Sequence, residues 1–444
     1  MGQTKLMSFE KHHEESLAAI GESMYGLIAD LYPICRSITG KGVQQTLERI
    51  SVEIPLHVEK VPSGTRVFDW TVPKEWNIRD AFIKNSKGER IVDFKKCNLH
   101  VVSYSQPVHA HMSLEALRPH LHSLPDKPDW IPYRTSYYEE SWGFCVSQRF
   151  LEGLQEDQYE VCIDSSFTDG NLLLAECNLP GETEDQIVVT CNICHPSLAN
   201  DTLSAVALTV FLAKHFLKVS RRHSFRFLFL PATIGTIAWL ALHEQEAIQI
   251  RHGLALSNVG GPGHIHYKRS RRGNAPVDKA AEYVLNKTVN KFEIRDFVPY
   301  GYDERQFCSP GFNIPMGCLS RTPFGEYPEY HTSADDLSFV KAEYLADSYR
   351  VCLDILYVLE KDGFYVNTTP KCEPQLGRRG LYRGLGGRMG GQSLELALLW
   401  VLNYGDGHHS LLDIAQKSGF PFEMIYKAAR VLEEHGLLRR QDSP

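Results

Sequence analysis

The most chemically suggestive feature of the sequence is a histidine and an aspartate that follow one apolar run. The run IVVTCNIC is typical of a buried strand and leads directly to His195, and the segment HPSLAND then leads to Asp201 at the start of a predicted helix. In open α/β sheets, ligands bind outside the carboxyl ends of the strands. Imidazole and carboxylate groups are zinc ligands, so this pair suggests a metal site, although Asp201 could also simply cap its helix.

Two later segments carry the same residue types. The segment PYGYDERQF contains Asp303 and Glu304, and the segment RTPFGEYPEYHTSADD contains Glu326, Glu329 and His331. If each segment follows a strand of one sheet, the three loops converge at the same edge of that sheet. Taken singly, each of these side chains is more typical of a helix cap or of a solvent-exposed loop.

The surrounding pattern predicts an α/β domain from about residue 166 onward. Apolar runs such as IVVTCNI, FRFLFLP and HGLALSNV alternate with helical stretches such as LSAVALTVFLAKHFLKV. Near-continuous apolar strands between helices are typical of a sheet that is covered on both faces. The helical stretch in residues 10–55 has too little apolar surface to fold alone, and we expect it to pack on this domain.

Changes in texture along the chain predict three domains. Residues 1–57 and 166–365 form the α/β domain, and residues 58–165, with short β-rich runs and turns, form an inserted, mostly β domain. A Gly/Arg-rich connector, RRGLYRGLGGRMGG, lies in the tail, where residues 370–444 are predicted as a winged helix-turn-helix domain with Pro421 at the start of its longest helix. Because acidic residues lie on that helix, we expect a packing or dimerisation module rather than a DNA reader.

The composition excludes several classes of protein. With 47 basic and 54 acidic residues, the net charge of the 444-residue chain is −7, which favours neither a nucleic-acid nor a membrane-surface partner. The polar N-terminus and the lack of an apolar run of about 18 residues lead us to expect a cytoplasmic protein. The string CNICH matches the attachment pattern of c-type haem, but a buried strand is unsuitable for haem, and we expect the 11 cysteines to act as small hydrophobes.

Taken together, these segments resemble a bacterial aminopeptidase-like family. HPSLANDTLSAV and EYHTSADD are similar to metal-binding segments of the co-catalytic zinc aminopeptidases of the leucyl aminopeptidase and carboxypeptidase clan. The closer family shares longer strings, namely LYPICRSITGKGV, FDWTVPKEWNI, CHPSLANDTLS, YGYDERQFCSPGFNIP and RTPFGEYPEYHTSAD. The resemblance implies a zinc-aminopeptidase-like α/β/α sandwich with a mixed sheet, an inserted β-rich domain and a C-terminal winged helix.

The resemblance also implies a role for each candidate ligand. In the clan, His195 and Asp303 would hold one zinc, Asp201 would bridge two ions, and His331 with a glutamate would hold the second. Paired zinc ions polarise the scissile carbonyl and generate hydroxide near neutral pH.

The sequence departs from this pattern at the expected glutamate pair and at one supporting residue. Pro231 and Ala232 stand where the clan has a base and a ligand, and Ser197 stands where an aspartate would orient the first histidine. We therefore expect one tightly held zinc ion, bound by His195, Asp201 and Asp303 with His331 nearby or sharing it, and a second ion that is weak or absent. The base would have to come from Glu304, Glu326 or Glu329.

Three functions remain open at this stage. The first is a zinc-dependent hydrolase that cleaves an amide bond of a small peptide or amino-acid conjugate, and we favour it because the four metal ligands are kept. The second is a catalytically impaired scaffold or binding protein, for which the resemblance suggests polysaccharide biosynthesis. The third is a DNA-binding regulator that acts through the winged helix. We expect no membrane partner and no nucleic-acid partner, and we leave a homo-oligomer open.

Overall fold

The computed structural model of the protein describes residues 16–381 and 392–441. The start of the predicted N-terminal segment, most of the Gly/Arg-rich connector and the last three residues lie outside the described residues. The helices are α1 (Leu17–Leu31), α2 (Lys41–Ser51), α3 (Leu114–Leu117), α4 (Gln148–Gly153), α5 (Ala205–Leu217), α6 (Ile234–Leu242), α7 (Glu244–Ala247), α8 (Pro276–Thr288), α9 (Glu304–Phe307), α10 (Ala342–Lys361), α11 (Gln392–Tyr404), α12 (Leu411–Ser418) and α13 (Phe422–Glu434).

The strands belong to one large sheet and four smaller ones. They are β1 (His57–Pro62), β2 (Arg66–Val67), β3 (Trp70–Thr71), β4 (Glu75–Lys84), β5 (Arg90–Asp93), β6 (Val108–Ser113), β7 (Leu121–His122), β8 (Phe144–Cys145), β9 (Gln158–Thr168), β10 (Asn171–Leu179), β11 (Gln186–Asn192), β12 (Ser224–Leu230), β13 (Ile250–Leu256), β14 (Ile265–Lys268), β15 (Phe292–Arg295), β16 (Met316–Ser320), β17 (Phe364–Asn367), β18 (Asp406–Ser410) and β19 (Leu438–Gln441).

The described residues form two units, of which the larger comprises residues 16–275 and 291–349. Its main sheet has eight strands in the order β1-β10-β12-β11-β13-β16-β14-β15. Strands β12, β11, β13 and β16 run parallel, whereas β10 is antiparallel to β12 and β14 is antiparallel to β16. The expected α/β fold with a mixed sheet is therefore confirmed.

The centre of the sheet is apolar on both faces. Every residue of β11 is buried, and so is nearly every residue of β12. Successive side chains of a strand point to opposite faces, so continuous burial means that both faces are covered. This explains why the apolar runs could be recognised as strands in the sequence.

The β-rich stretch forms additional sheets within the same unit. Strands β5, β4, β9 and β6 form an antiparallel sheet in that order. Alternate residues of its two central strands, Ala81 and Ile83 in β4 and Val161 and Ile163 in β9, are buried in one hydrophobic cluster. The exact limits of the three predicted domains stay a prediction.

The smaller unit comprises residues 276–290, 350–381 and 392–441. Its three-stranded sheet, ordered β18-β17-β19, accompanies helices α11, α12 and α13. A capping box of Ser410 and Asp413 begins α12, Gly419 with φ 74° ends it, and Pro421 precedes α13. The predicted helices and wing are found, and the central strand β17 is an element that the sequence pattern did not reveal.

No helix in the described ranges is long and apolar enough to cross a membrane.

Candidate metal site

Three of the predicted ligands converge at the carboxyl ends of the central strands. His195 follows β11, Asp201 lies in the turn before α5, and His331 lies in the long loop after β16. Each offers a ligand atom, and these atoms lie within 4.8 Å of one another. Asp201 Oδ2 is 3.0 Å from His331 Nε2 and 4.0 Å from His195 Nε2. We call these three residues the His195 cluster.

The donors of the His195 cluster suit a metal ion. Asp201 is completely buried, and neither of its carboxylate oxygens nor His331 Nε2 makes a hydrogen bond of acceptable geometry with any described residue. Burial favours a raised pKa for Asp201, but His195 and His331 outweigh this and lower its pKa below the ordinary value. Burial also lowers the pKa of His195 to about 4. A carboxylate and a neutral imidazole are the protonation states that bind zinc.

A second aspartate holds the turn that carries Asp201. The Asp335 carboxylate accepts hydrogen bonds from the backbone N–H groups of Asn200 and Asp201, at 2.6 and 3.0 Å. The Asn200 side chain in turn accepts a hydrogen bond from the N–H of Gly260 at 2.9 Å. Asp201 has φ −102° and ψ 89°, so it is not helical. Asp335 therefore caps the backbone N–H groups of this turn, and the Asp201 side chain remains available to bind a ligand.

The backbone of His195 is held by a buried arginine. Arg36 is fully buried, and it donates hydrogen bonds to the carbonyl oxygens of His195 and Leu31 at 2.8 and 2.7 Å. The Ser197 hydroxyl donates to the carbonyl of Tyr32 instead of supporting the imidazole. The Nδ1 atom of His195 lies 3.5 Å from Cys194 Sγ. Among the described residues no carboxylate forms a hydrogen bond with Nδ1 of this imidazole, as the presence of Ser197 in the sequence suggested.

A tyrosine from the β-rich stretch completes the wall of the site. The ring of Tyr133 lies 5.3 Å from the ring of His195 and 5.0 Å from that of His331. Its N–H donates to the carbonyl of His331 at 2.8 Å, and its hydroxyl lies 3.1 Å from that of Tyr137. The place of Tyr133 in this site could not be predicted from the sequence, because no motif connects it with histidines far along the chain.

His331 is held in an uncommon conformation. Its φ is +53°, in the left-handed region that non-glycine residues rarely adopt. The ring of Tyr330 stacks on its imidazole at 3.9 Å, and the adjoining Ser333 N–H donates to the carbonyl of Ile131 at 2.8 Å. Such strained positions cluster at functional sites, because surrounding contacts must hold them in place.

The fourth predicted ligand, Asp303, is not brought into the His195 cluster. Its carboxylate accepts a hydrogen bond from Thr190 Oγ1 at 3.4 Å, and the Asn192 amide, when oriented to satisfy its neighbours, donates to both oxygens at 2.8 and 3.2 Å. Burial raises the pKa of Asp303 to about 7. In this arrangement Asp303 is engaged by neutral donors that lie within the last three residues of β11.

The three glutamates proposed as a base are placed differently from one another. Glu304 is fully buried and is paired with Lys268. Glu326 is exposed and receives a two-pronged ion pair from Arg295, which includes a 2.8 Å bond from Nη2. Glu329 lies two residues before His331, and its carboxylate forms no ion pair or hydrogen bond with the part of the chain that the structure describes.

The turn after β12 carries no acid. Ala232 lies between β12 and α6, and its N–H donates to Cys194 Sγ at 3.3 Å. Because Cys194 precedes His195, this bond ties the turn directly to the strand end that carries the first imidazole. Ala232 therefore supplies only a methyl group at the turn where the resemblance implies a carboxylate.

The chain matches a family of proteins over most of its length. Residues 25–362 match the family described as "Domain of unknown function (DUF4910)", and residues 363–440 match a winged helix-turn-helix. The chain belongs to this DUF4910 family. A protein of Clostridium acetobutylicum named "Putative polysaccharide biosynthesis protein with aminopeptidase-like domain" is 50% identical over 419 residues, which cover 94% of this chain and 96% of that protein.

Solved structures confirm the aminopeptidase-like fold of this DUF4910 member. A crystal structure described as "putative peptidase" from Clostridium acetobutylicum has a TM-score of 0.89 and 48% identity, and the match covers 96% of this chain and 97% of that one. A zinc aminopeptidase from Bacillus subtilis has a TM-score of 0.58 at 13% identity, with 76% and 95% covered. The expected family, aminopeptidase-like fold and C-terminal winged helix are thereby confirmed.

We predict that the ring of Tyr133 supports the His195 cluster and that its hydroxyl does so much less. Tyr133→Ala removes an aromatic side chain packed between two imidazoles, which should cost about 3–5 kcal/mol of unfolding free energy and weaken zinc binding by about 10–100-fold. Tyr133→Phe keeps the ring, so it should cost only about 1 kcal/mol and leave zinc binding within about 3-fold of the parent. Urea unfolding and competition titration with a zinc chelator measure both quantities, and equal losses in the two variants would contradict the prediction.

Proposed function

We propose that this protein is a metal-dependent hydrolase that binds one zinc ion at the His195 cluster and cleaves an amide bond in a small peptide or amino-acid conjugate. The observation that carries the proposal is the Asp201 carboxylate, which is buried without a hydrogen-bond donor and faces two imidazole Nε2 atoms. An isolated buried carboxylate is costly, and a cation bound there would offset that cost.

The number of donors supports a site of the catalytic type. Three protein ligands leave one position of a tetrahedral zinc open for water or substrate. The side chain of His331 is one-third exposed, so part of its imidazole borders solvent while its Nε2 atom is buried against Asp201. When bound, zinc would polarise a carbonyl group and lower the pKa of a water molecule.

Glu329 is our candidate for the proton acceptor. Glu304 is fully buried in an ion pair with Lys268, and the ion pair with Arg295 lowers the pKa of Glu326, which opposes uptake of a proton there. The Glu329 carboxylate has no such partner among the described residues and lies near His331 in the chain. In this proposal it accepts a proton from the attacking water and passes it to the leaving amine.

The first prediction from this proposal concerns zinc binding by Asp201. Asp201→Asn should weaken zinc binding at the cluster by more than about 100-fold, because the loss of a ligand exceeds the 10–100-fold cost of losing an outer partner. Hydrolysis of unblocked amino-acid 4-nitroanilides should be lost in the variant and in chelator-treated parent protein, and zinc should restore it only in the parent. Hydrolysis that survives both treatments would contradict the proposal.

The second prediction separates the base from its neighbours. Glu329→Gln should lower kcat by about 10²–10⁴-fold while zinc content stays unchanged, which is the size of a general-base effect. Glu326→Gln is the matched control, because it changes a carboxylate of the same loop that is held by Arg295, and it should leave kcat within about 3-fold of the parent. If both variants keep the parental kcat, Glu329 is not the base.

A scaffold that binds metal without catalysis is the second candidate function. The observation that favours it is Ala232, whose N–H donates to Cys194 Sγ and whose side chain is a methyl group, because the resemblance implies an acid at this turn. The name of the Clostridium relative mentions polysaccharide biosynthesis, and a scaffold in such an assembly would keep the fold without the acid. Zinc binding at the His195 cluster without hydrolysis of any tested amide would favour this alternative.

Restoring the missing acid gives a third prediction. Ala232→Glu places a carboxylate just before the N-terminus of α6, where negative charge is favoured by about 0.3–1 kcal/mol. We expect the variant to bind one zinc ion more than the parent and to gain activity on unblocked amino-acid anilides. Ala241→Glu, farther along the same helix, is the control and should add no zinc. Unchanged zinc content in Ala232→Glu would show that this turn does not border a metal site.

A further inference from the structure

A second group of metal-ligand residues lies at the far edge of the main sheet. His264 immediately precedes β14 and His266 lies within it, so their side chains share one face of the strand. Glu293 of β15 is the register partner of His266 in the parallel pair. The ligand atoms of these three residues lie within 4.8 Å of one another. We call this group the His264 cluster.

The glutamate presents one oxygen to the two imidazoles. Glu293 Oε2 lies 3.3 Å from His266 Nε2 and 4.0 Å from His264 Nε2. The other oxygen, Oε1, accepts a hydrogen bond from Arg295 Nε at 2.7 Å. Arg295 therefore sets the orientation of the Glu293 carboxylate, and Oε2 of Glu293 remains directed toward the two histidines.

Backbone carbonyls set the tautomer of the inner histidine. His266 Nδ1 lies 2.9 Å from the carbonyl oxygen of His264 and 3.0 Å from that of Arg321. Since a carbonyl only accepts, Nδ1 carries the hydrogen, and Nε2 of the neutral ring keeps its lone pair toward Glu293. Metal-binding histidines in proteins are commonly oriented by such a bond from the other ring nitrogen.

From this geometry we propose that the His264 cluster is a second metal site, which binds Zn²⁺ or a similar divalent transition ion through Nε2 of His264, Nε2 of His266 and one Glu293 oxygen. Two imidazoles and one carboxylate form a known zinc-binding set. The ion would join β14 to β15, which is the edge strand of the eight-stranded sheet. It would thus connect the edge strand to its neighbour by metal–ligand bonds, in addition to the backbone hydrogen bonds between the two strands.

The three side chains differ in exposure, and the two more exposed ones would allow a bound ion to exchange with solvent. The side chain of His266 is 8% exposed, that of His264 is 31% exposed and that of Glu293 is 45% exposed. The imidazole of His264, whose Nε2 atom lies 4.0 Å from Glu293 Oε2, is thus the more exposed of the two rings. The positive charges of Lys291 and Arg295 also act on this ring, so they limit the affinity of the site for a cation.

The test uses the tag-free 444-residue chain in an Asp201→Asn background, which separates this site from the proposed hydrolase site. After removal of metal with a chelator, equilibrium dialysis against Zn²⁺ and elemental analysis give the number of ions per chain. We expect one zinc in this background and none when His264→Ala and His266→Ala are added. Glu293→Gln, a change at a partly exposed side chain, should weaken zinc binding by more than about 10-fold, because a ligand contributes more than an outer partner.

The chain offers a matched control in His109 and His111. These residues also lie two apart on one strand, β6, and His109 is 3.4 Å from Glu160, but the three do not converge as the His264 cluster does. His109→Ala with His111→Ala should leave the one zinc ion in place. The proposal is overturned if the Asp201→Asn chain takes up no zinc, or if Glu293→Gln and the His264/His266 variant bind it as tightly as their parent. Either result leaves the hydrolase proposal intact, since that proposal depends on the Asp201 site.

Discussion

The arrangement of the larger unit depends on one buried negative charge. Asp201 has no solvent exposure and no hydrogen-bond donor on either carboxylate oxygen, yet its pKa is below the ordinary value. Within the described residues, the only groups close to it that can carry a positive charge are the imidazoles of His195 and His331. Removing a charge from water costs several kcal/mol unless another charge or an ion compensates for it. The site is therefore organised for a cation.

The neighbouring contacts serve to keep this carboxylate free. Asp335 accepts the backbone N–H groups that the Asp201 side chain would otherwise cap, and Arg36 holds the backbone of His195. Tyr133 contacts both imidazoles and donates to the backbone of His331. Because Tyr133 comes from the β-rich stretch, that stretch forms part of the wall of the site.

The two histidine clusters differ in how their ligands are assembled. The His195 cluster joins loops after separate strands, and its carboxylate is inaccessible to solvent. The His264 cluster is built on two neighbouring strands, so ordinary β-sheet register brings its ligands together, and its carboxylate is half exposed. A fully buried carboxylate between two loops suits a site of the catalytic type that we propose, whereas a set of ligands across a sheet edge suits a connection between strands.

Local sequence patterns determined the elements and the chemistry of the loops. The apolar runs, the helical periods and the C-terminal winged helix could be recognised because burial on both sheet faces and helix caps leave marks within a few residues. The positions of His195, Asp201 and His331 after strands could be predicted for the same reason. Only the tertiary structure decided that Asp303 is engaged by Thr190 and Asn192 and that Glu326 pairs with Arg295. It also decided that the Tyr133 ring lies against His195 and that the residues of the His264 cluster converge. These contacts join residues that are distant in sequence, and they are set by strand order, register and competition between partners, none of which has a local signal.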